Sequence, residues 1–277
     1  MPIVSSMAGL GDNLYQLAFV DQLERPIYIN TPWPQLYSAV EGIHFVRPDT
    51  RLRTQKKNVD RLTSWEAQPR GLPILQIAYS GEGILQGMGR RFGKPFGAFK
   101  VPSFPWRPTD KPYVLIRPAT VRAEWRADAR NPDPSYISAA CEEAKRRGYL
   151  TILVADLEAG KEWAVGELPK ADINYLSGEL SVTELLGAAE GASALIGGIG
   201  WIVPAALALK TKAWVVCGGQ GGFNAPELIA PQNDMITFAV PNNFCRCRLR
   251  DHSCDKRISD YDAKLTEWAD RHLPVVS

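Results

Sequence analysis

Ala194-Leu195-Ile196-Gly197-Gly198-Ile199-Gly200-Trp201 runs into Ile202-Val203-Pro204-Ala205-Ala206-Leu207-Ala208-Leu209. After Lys210-Thr211-Lys212 it continues as Ala213-Trp214-Val215-Val216-Cys217. Ala194 to Ile196 reads as a short strand, Val203 to Leu209 as a helix and Ala213 to Cys217 as a second strand. Neither strand alternates apolar with polar residues, so both are expected to be covered on two faces, as in a parallel sheet. A parallel pair needs a crossover connection, and the helix supplies it. The three glycines fall at the strand-to-helix turn. There a backbone without Cβ atoms can approach a ligand, and a helix N-terminus favours anions.

The same alternation extends outward in both directions. Upstream, Tyr113-Val114-Leu115-Ile116 is a strand, Ser135 to Arg147 a helix stopped by Gly148, and Leu150 to Ala155 a strand. Trp163 to Leu168 reads as a short helix and Ile173 to Leu176 as a strand. Ser181-Val182-Thr183-Glu184 has capping-box spacing before an apolar run, which starts another helix. Asp260 to Leu273 reads as a closing helix. The first half opens with a strand at Pro2 to Met7, then helical spacing of Leu14, Leu17, Ala18, Val20 and Leu23. Strands at Ile27–Ile29 and Ile43–Val46 follow, separated by a short helix from Trp33 to Val40. Residues 47–70 read as polar and irregular, Leu72 to Tyr79 as apolar again. Residues 87–112 carry Gly87, Gly89, Gly93, Pro95, Gly97, Pro102, Pro105, Pro108 and Pro112, which is linker chemistry. The expectation is an α/β protein with two Rossmann-like doubly wound domains facing a cleft. Residues 1–110 form the first domain and 111–277 the second, and the last helix is free to pack back on the first. Ligands in such sheets sit at the carboxyl ends of the strands.

Length and composition agree with that division. The chain has 277 residues, 45% hydrophobic and 22% charged. Disordered, collagen-like and coiled-coil classes are excluded. No run approaches the roughly 18 apolar residues of a membrane span, and no signal-peptide pattern opens the chain, so a cytoplasmic location is expected. The net charge of +2 neither demands nor excludes a polyanionic partner. Basic residues cluster between Arg47 and Arg61, with Trp65 following, and at Arg90-Arg91. Five cysteines are an odd number for a disulfide framework.

Four groups of residues carry candidate chemistry. Gly9-Leu10-Gly11-Asp12-Asn13 follows the first strand and opens a helix; Asp12 reads either as a capping residue or as a catalytic base. Its third position is Leu14 rather than glycine, which disfavours a nicotinamide-dinucleotide fingerprint. Arg117, Arg122 and Arg126 follow the first strand of the second half, where a diphosphate needs cationic partners. Gly197, Gly198, Gly200 and Trp201, with Gly218 and Gly219 after the next strand, read as tight turns or as a phosphate cradle. Cys245, Cys247, His252 and Cys254 offer three thiols and an imidazole. These read as a zinc site, a disulfide or unligated thiols. Phosphate-loop kinase, zinc-protease and α/β-hydrolase signatures are absent from the sequence.

In their order these pieces resemble family 9 glycosyltransferases, the heptosyltransferase-like group with a GT-B fold, across most of the chain. The strand followed by Gly9-Leu10-Gly11-Asp12 and an apolar helix is similar to that family's opening. Arg122 to Trp125 resembles its basic–x–Trp loop at the donor phosphates. Tyr175 to Leu185 is similar to its "L-x-G-x-x-S-x-x-E-L" segment, and Ile196 to Ala206 to its "N-D-S-G-x-x-H-L-A-A" loop. Gly198 stands where the family has Asp and Val203 where it has His, and the cysteine segment is a compressed form of a cysteine region found in some members.

The resemblance implies transfer of a sugar from a nucleoside diphosphate sugar to an acceptor hydroxyl, without a metal and with Asp12 as the base. Donor-binding positions are then Arg117, Arg122, Arg126, Gly197, Gly198, Gly200, Trp201, Gly218 and Gly219. Acceptor-binding positions are Gly9, Gly11, Asn13, Arg90 and Arg91. The acceptor is expected to be a saccharide of lipopolysaccharide type. Hydroxymethylated DNA, met by the basic clusters, is the alternative acceptor. A sugar-nucleotide epimerase or reductase and an inactive sugar-nucleotide-binding module are the rival classes.

Overall fold

The computed structural model describes residues 2–50, 52–62, 64–78, 82–231 and 233–276. The chain forms two compact units, Met1–Ser103 and Phe104–Ser277.

The first unit contains β1 (Ile3–Ser5), α1 (Leu10–Val20), β2 (Ile27–Asn30), a 3₁₀ turn at Pro34–Tyr37 and β3 (Ile43–Val46). It continues with α2 (Arg53–Asp60), β4 (Ile74–Gln76) and α3 (Ile84–Phe92). Its four strands are all parallel in the order β3-β2-β1-β4. The chain winds from β1 outward to β3 and returns to β4 on the other side of β1, so the order reverses beside β1. Helix α1 buries Leu14, Leu17, Ala18, Phe19 and Val20, and Phe19 stacks on Phe92 of α3 with centroids 5.5 Å apart.

Two stretches that read as irregular are helical. Helix α2 lies inside residues 47–70. Its buried face is Gln55, Asn58 and Val59, two amides and one apolar residue, so hydrophobic periodicity gave no signal. Asn58 earns its burial by donating to the Pro32 carbonyl at 2.5 Å and to Gln35 Oε1 at 3.1 Å. Helix α3 takes up the start of the glycine-rich 87–112 stretch. A Cβ at Gly89 would lie 3.1 Å from the Lys94 carbonyl and 3.6 Å from the Phe19 ring. This glycine permits close packing on α1 instead of breaking the helix.

The second unit contains β5 (Tyr113–Arg117), β6 (Thr120–Arg122), α4 (Pro134–Arg146), β7 (Leu150–Val154), β8 (Glu162–Ala164) and β9 (Ile173–Tyr175). It continues with α5 (Val182–Gly191), β10 (Ala194–Gly198), α6 (Ile202–Leu209), β11 (Ala213–Val216), α7 (Gly221–Asn224), α8 (Pro226–Ile229), β12 (Ile236–Ala239) and α9 (Tyr261–His272). Six parallel strands lie in the order β12-β11-β10-β5-β7-β9. Numbered within the unit this is the 3-2-1-4-5-6 order of doubly wound nucleotide folds, whose reversal point lies between β5 and β10. Those two strands pair with Ile196 opposite Ile116 and Gly197 opposite Arg117.

The capping box at Ser181 and Glu184 opens α5. Trp163 lies in β8, paired antiparallel to β6, and not in a helix. The reason is Glu162, which turns inward and leaves Trp163 40% exposed. The last helix lines the core of this unit. Tyr261, Leu265, Trp268, Ala269 and Leu273 pack with Ile137, Ala144 and Trp214. Among the described residues no helix is long and apolar enough to cross a membrane.

Candidate functional site

In the first unit the candidate residues lie where β1 ends, beside the reversal of strand order. Asp12 occupies the first turn of α1, behind an N-cap, Gly9, that provides no side-chain cap. The Asp12 carboxylate folds back over Gly9, where a Cβ would collide with its Oδ2 and lie 3.2 Å from its Cγ. Glycine at position 9 is thus what allows the carboxylate to sit at the loop, at the positive end of the helix dipole.

The loop itself is shaped by a buried polar network. Asn13 donates to the carbonyls of Met7 at 2.5 Å and Gly9 at 2.9 Å. Its Oδ1 accepts from Gln16 at 3.1 Å, Thr31 at 2.7 Å and Tyr37 at 3.1 Å. Gln16 accepts from the Met7 amide at 3.2 Å, and Trp33 donates to the Ala8 carbonyl at 2.9 Å. Burial drives the Tyr37 hydroxyl far above its ordinary range, against the opposing effect of its bond to Gln16, so it stays protonated. Asn13 is 0% exposed. Its side-chain amide, expected at an acceptor, bonds within the protein and ties down the carbonyls of residues 7 and 9. Asn13→Ala is expected to lower stability by about 2–3 kcal/mol, because several buried partners lose their bonds at once. Chemical unfolding of the purified variant measures it.

The basic candidates of this unit are partly neutralised within it. Arg90 pairs with Glu82, and Arg47 with Asp60 at 2.8 Å. Arg91 is exposed in the last turn of α3.

In the second unit the reversal between β5 and β10 places the arginine loop beside the first glycine loop. Arg117 and Arg122 converge on Glu162, whose side chain is 1% exposed. Arg117 donates to Oε1 at 2.6 Å, and Arg122 to Oε2 at 2.6 and 2.9 Å. Thr120 donates to Oε1 at 2.8 Å. Burial pushes the Glu162 carboxyl up, but the opposing fields and hydrogen bonds of Arg117 and Arg122 hold it below its ordinary value. Two arginines thus share one buried carboxylate at the end of β5. Glu162 escaped the reading of the sequence because nothing in Lys161-Glu162-Trp163 distinguishes it from a surface residue; only the fold delivers it to two arginines. Arg126 stands apart, exposed and bonded to Asp128 at 2.7 Å.

Opposite, Gly197 is required by packing: a Cβ would meet the Arg117 carbonyl and Ile202 at 2.7 Å. At Gly198 a Cβ would meet the Pro132 ring at 3.0 Å, whereas nothing lies within 4 Å at Gly200. Trp201 is the N-cap of α6 and supplies no side-chain cap. The Gly200 side of the turn is therefore open at a helix start, as a phosphate seat requires.

Gly218 and Gly219 do something else. A Cβ at Gly218 would strike Arg130 and Asn131, and one at Gly219 would strike Cys254. The amides of Gly219, Gly221 and Gly222 bond to the carbonyls of Ala129 at 2.7 Å, Cys245 at 2.8 Å and Cys247 at 3.0 Å. This loop, expected as a second phosphate cradle, packs against the Ala129–Asn131 turn and the cysteine segment.

The cysteines divide in two. Cys141 and Cys217 are core residues whose thiols burial raises to about 11 and about 12, so both stay protonated. Cys245, Cys247, His252 and Cys254 instead bring their donor atoms within 4.8 Å of one another. His252 Nδ1 lies 3.5 Å from Cys245 Sγ and 3.3 Å from Cys254 Sγ, and Cys247 Sγ lies 3.6 Å from Cys254 Sγ. A disulfide would require about 2.0 Å. Ligands on a tetrahedral metal with bonds of about 2.0–2.3 Å are separated by about 3.3–3.8 Å, the range of these three pairs within a set that lies inside 4.8 Å.

No family model and no curated protein matches the sequence. Solved structures do. Escherichia coli ADP-heptose LPS heptosyltransferase II superposes with a TM-score of 0.57 at 11% identity, over 98% of this chain and 100% of that one. The fold is that of the heptosyltransferase-like family 9 glycosyltransferases. A glycosyl transferase family 9 protein of Veillonella parvula DSM 2008 matches with a TM-score of 0.60 at 10% identity, over 98% and 96% of the two chains. TibC of enterotoxigenic Escherichia coli H10407 is described as an iron-containing dodecameric glycosyltransferase. It matches with a TM-score of 0.54 at 17% identity, over 77% of this chain. The match spans 57% of TibC's length. At these identities the heptosyltransferase likeness is one of fold.

Proposed function

We propose that the chain is a glycosyltransferase that moves a sugar from a nucleoside diphosphate sugar to an acceptor hydroxyl, the acceptor being a glycan of lipopolysaccharide type. The observation that carries this reading is the reversal point of the second sheet, where the Arg117–Arg122 cluster and the open Gly200 turn share one end of β5 and β10. That pairing of cations with a bare helix start suits a pyrophosphate.

In this reading the acceptor oxygen bonds to the anomeric carbon as the bond from that carbon to the diphosphate oxygen breaks. Asp12 takes the acceptor proton. Arg117, Arg122 and the amides at the start of α6 offset the charge gathering on the leaving diphosphate. Gly198 and Val203, where the family pattern has Asp and His, remove two polar groups from the donor loop, so donor recognition rests more on backbone and arginine contacts. Hydroxymethylated DNA is the alternative acceptor; on that side Arg47 and Arg90 are exposed and engage Asp60 and Glu82.

TibC is described as iron-containing. In this chain a metal would be held by Cys245, Cys247, His252 and Cys254, where it would supply a cross-link between chain segments.

A thermal-shift screen tests the donor side. ADP-sugars come first, since TibC is described in complex with ADP-D-β-D-heptose; UDP- and GDP-sugars follow. A true donor is expected to stabilise by about 2.7 kcal/mol at a hundred times its dissociation constant. Gly200→Ala should fold normally and lose most of that shift. A flat response to all three nucleotide classes would sink the reading.

A further inference from the structure

Residues 241–260 contain neither helix nor strand, yet they are fastened at several points to two loops of the second unit. The carbonyls of Cys245 and Cys247 accept from Gly221 and Gly222. The Leu249 carbonyl accepts from the Gln220 side chain at 3.2 Å, and the Arg250 carbonyl from the Ala129 amide at 2.9 Å. Gly219 has no room for a Cβ because Cys254 lies against it. These bonds hold the segment that carries the four donor side chains against the loops at residues 127–131 and 218–222.

We propose that Cys245, Cys247, Cys254 and Nδ1 of His252 bind one divalent metal, zinc or ferrous iron, in tetrahedral geometry. This metal is a structural staple that fastens the glycine loop 218–222 and the turn 127–131 at the carboxyl end of β11. The proposal does not depend on sugar transfer. Its physical basis is the imbalance between order and core in this region. A long irregular segment gains little from apolar burial to offset its conformational entropy, whereas a closed thiolate-rich site stabilises its fold by a large margin. The two buried cysteines take no part, so the three remaining thiols and the imidazole form a complete set of four ligands.

The test uses the full chain purified anaerobically with reductant. Elemental analysis is expected to find one zinc or iron per chain, and which one it finds fixes the metal. Chelated protein reloaded with cobalt(II) should show thiolate charge-transfer and tetrahedral ligand-field bands at one equivalent. In hydrogen exchange, the amides of Ala129, Gly219, Gly221 and Gly222 should exchange about tenfold or more faster without metal, while β5 and β10 are unchanged. His252→Ala should weaken metal retention by about 100-fold or more, and Cys141→Ala should leave it intact. A metal-free protein that gives no cobalt spectrum, a Cys247–Cys254 disulfide in its place, or equal exchange of those amides with and without metal would each overturn the proposal. The chelated wild-type chain keeps the exchange test usable even where a ligand variant fails to fold.

Discussion

Asp12→Asn is expected to lower kcat by about 10²–10⁴-fold, the usual contribution of a positioned general base, with little change in melting temperature. The substitution keeps the shape of the side chain and removes its basicity, so activity and stability should separate. Release of nucleoside diphosphate from the donor, followed in the presence of acceptor, reads the loss. Gly9→Ala is the companion variant. It leaves the carboxylate in the sequence but displaces it, because a Cβ at position 9 collides with Asp12. Its activity should fall in the same direction as that of Asp12→Asn. If Asp12→Asn retains most of the wild-type rate, the carboxylate is a helix-capping group and the base lies elsewhere.

Glu162→Gln is expected to destabilise the second unit by about 3 kcal/mol at neutral pH. This is the low end for breaking a buried ion pair, because the two arginine side chains are 18% and 25% exposed and keep some solvation. Urea unfolding compares the two proteins. The pH dependence adds an independent check. The Glu162 carboxyl titrates below its ordinary 4.5 in the folded chain. Its contribution is therefore complete above about pH 4.5 and is lost as pH falls through the lower folded value. Wild type should lose stability on that acid limb, and Glu162→Gln should lack this component of the loss. Equal stability of the two proteins at pH 7 would mean that the arginines do not need their carboxylate.

The parallel α/β architecture was legible because its signals are local. Uninterrupted apolar strands, a capping box at Ser181 and Glu184, and glycines at strand ends each report on a few neighbouring residues. Helix α2 was hidden because its buried face is made of amides, and β8 because a buried glutamate looks like a surface one. The first glycine loop was readable as a strand-to-helix turn, but its twin at Gly218–Gly219 has the same composition and a different use. What separates them is what lies opposite: open space at Gly200, and the Ala129–Asn131 turn and Cys254 at the second loop.

The sequence by itself determined that this chain alternates strands and helices, that a carboxylate follows its first strand, and that three thiols and an imidazole crowd one late segment. Local chemistry sets all of these. Tertiary structure alone decided which glycine loop stays open, which carboxylate holds Arg117 and Arg122 together, that Asn13 is spent inside the protein, and that four donor atoms meet within 4.8 Å. The first three depend on residues distant in the chain arriving together, and the fourth on an irregular segment held in place by the loops at residues 127–131 and 218–222; strand order is likewise a property of the whole sheet that no short stretch encodes.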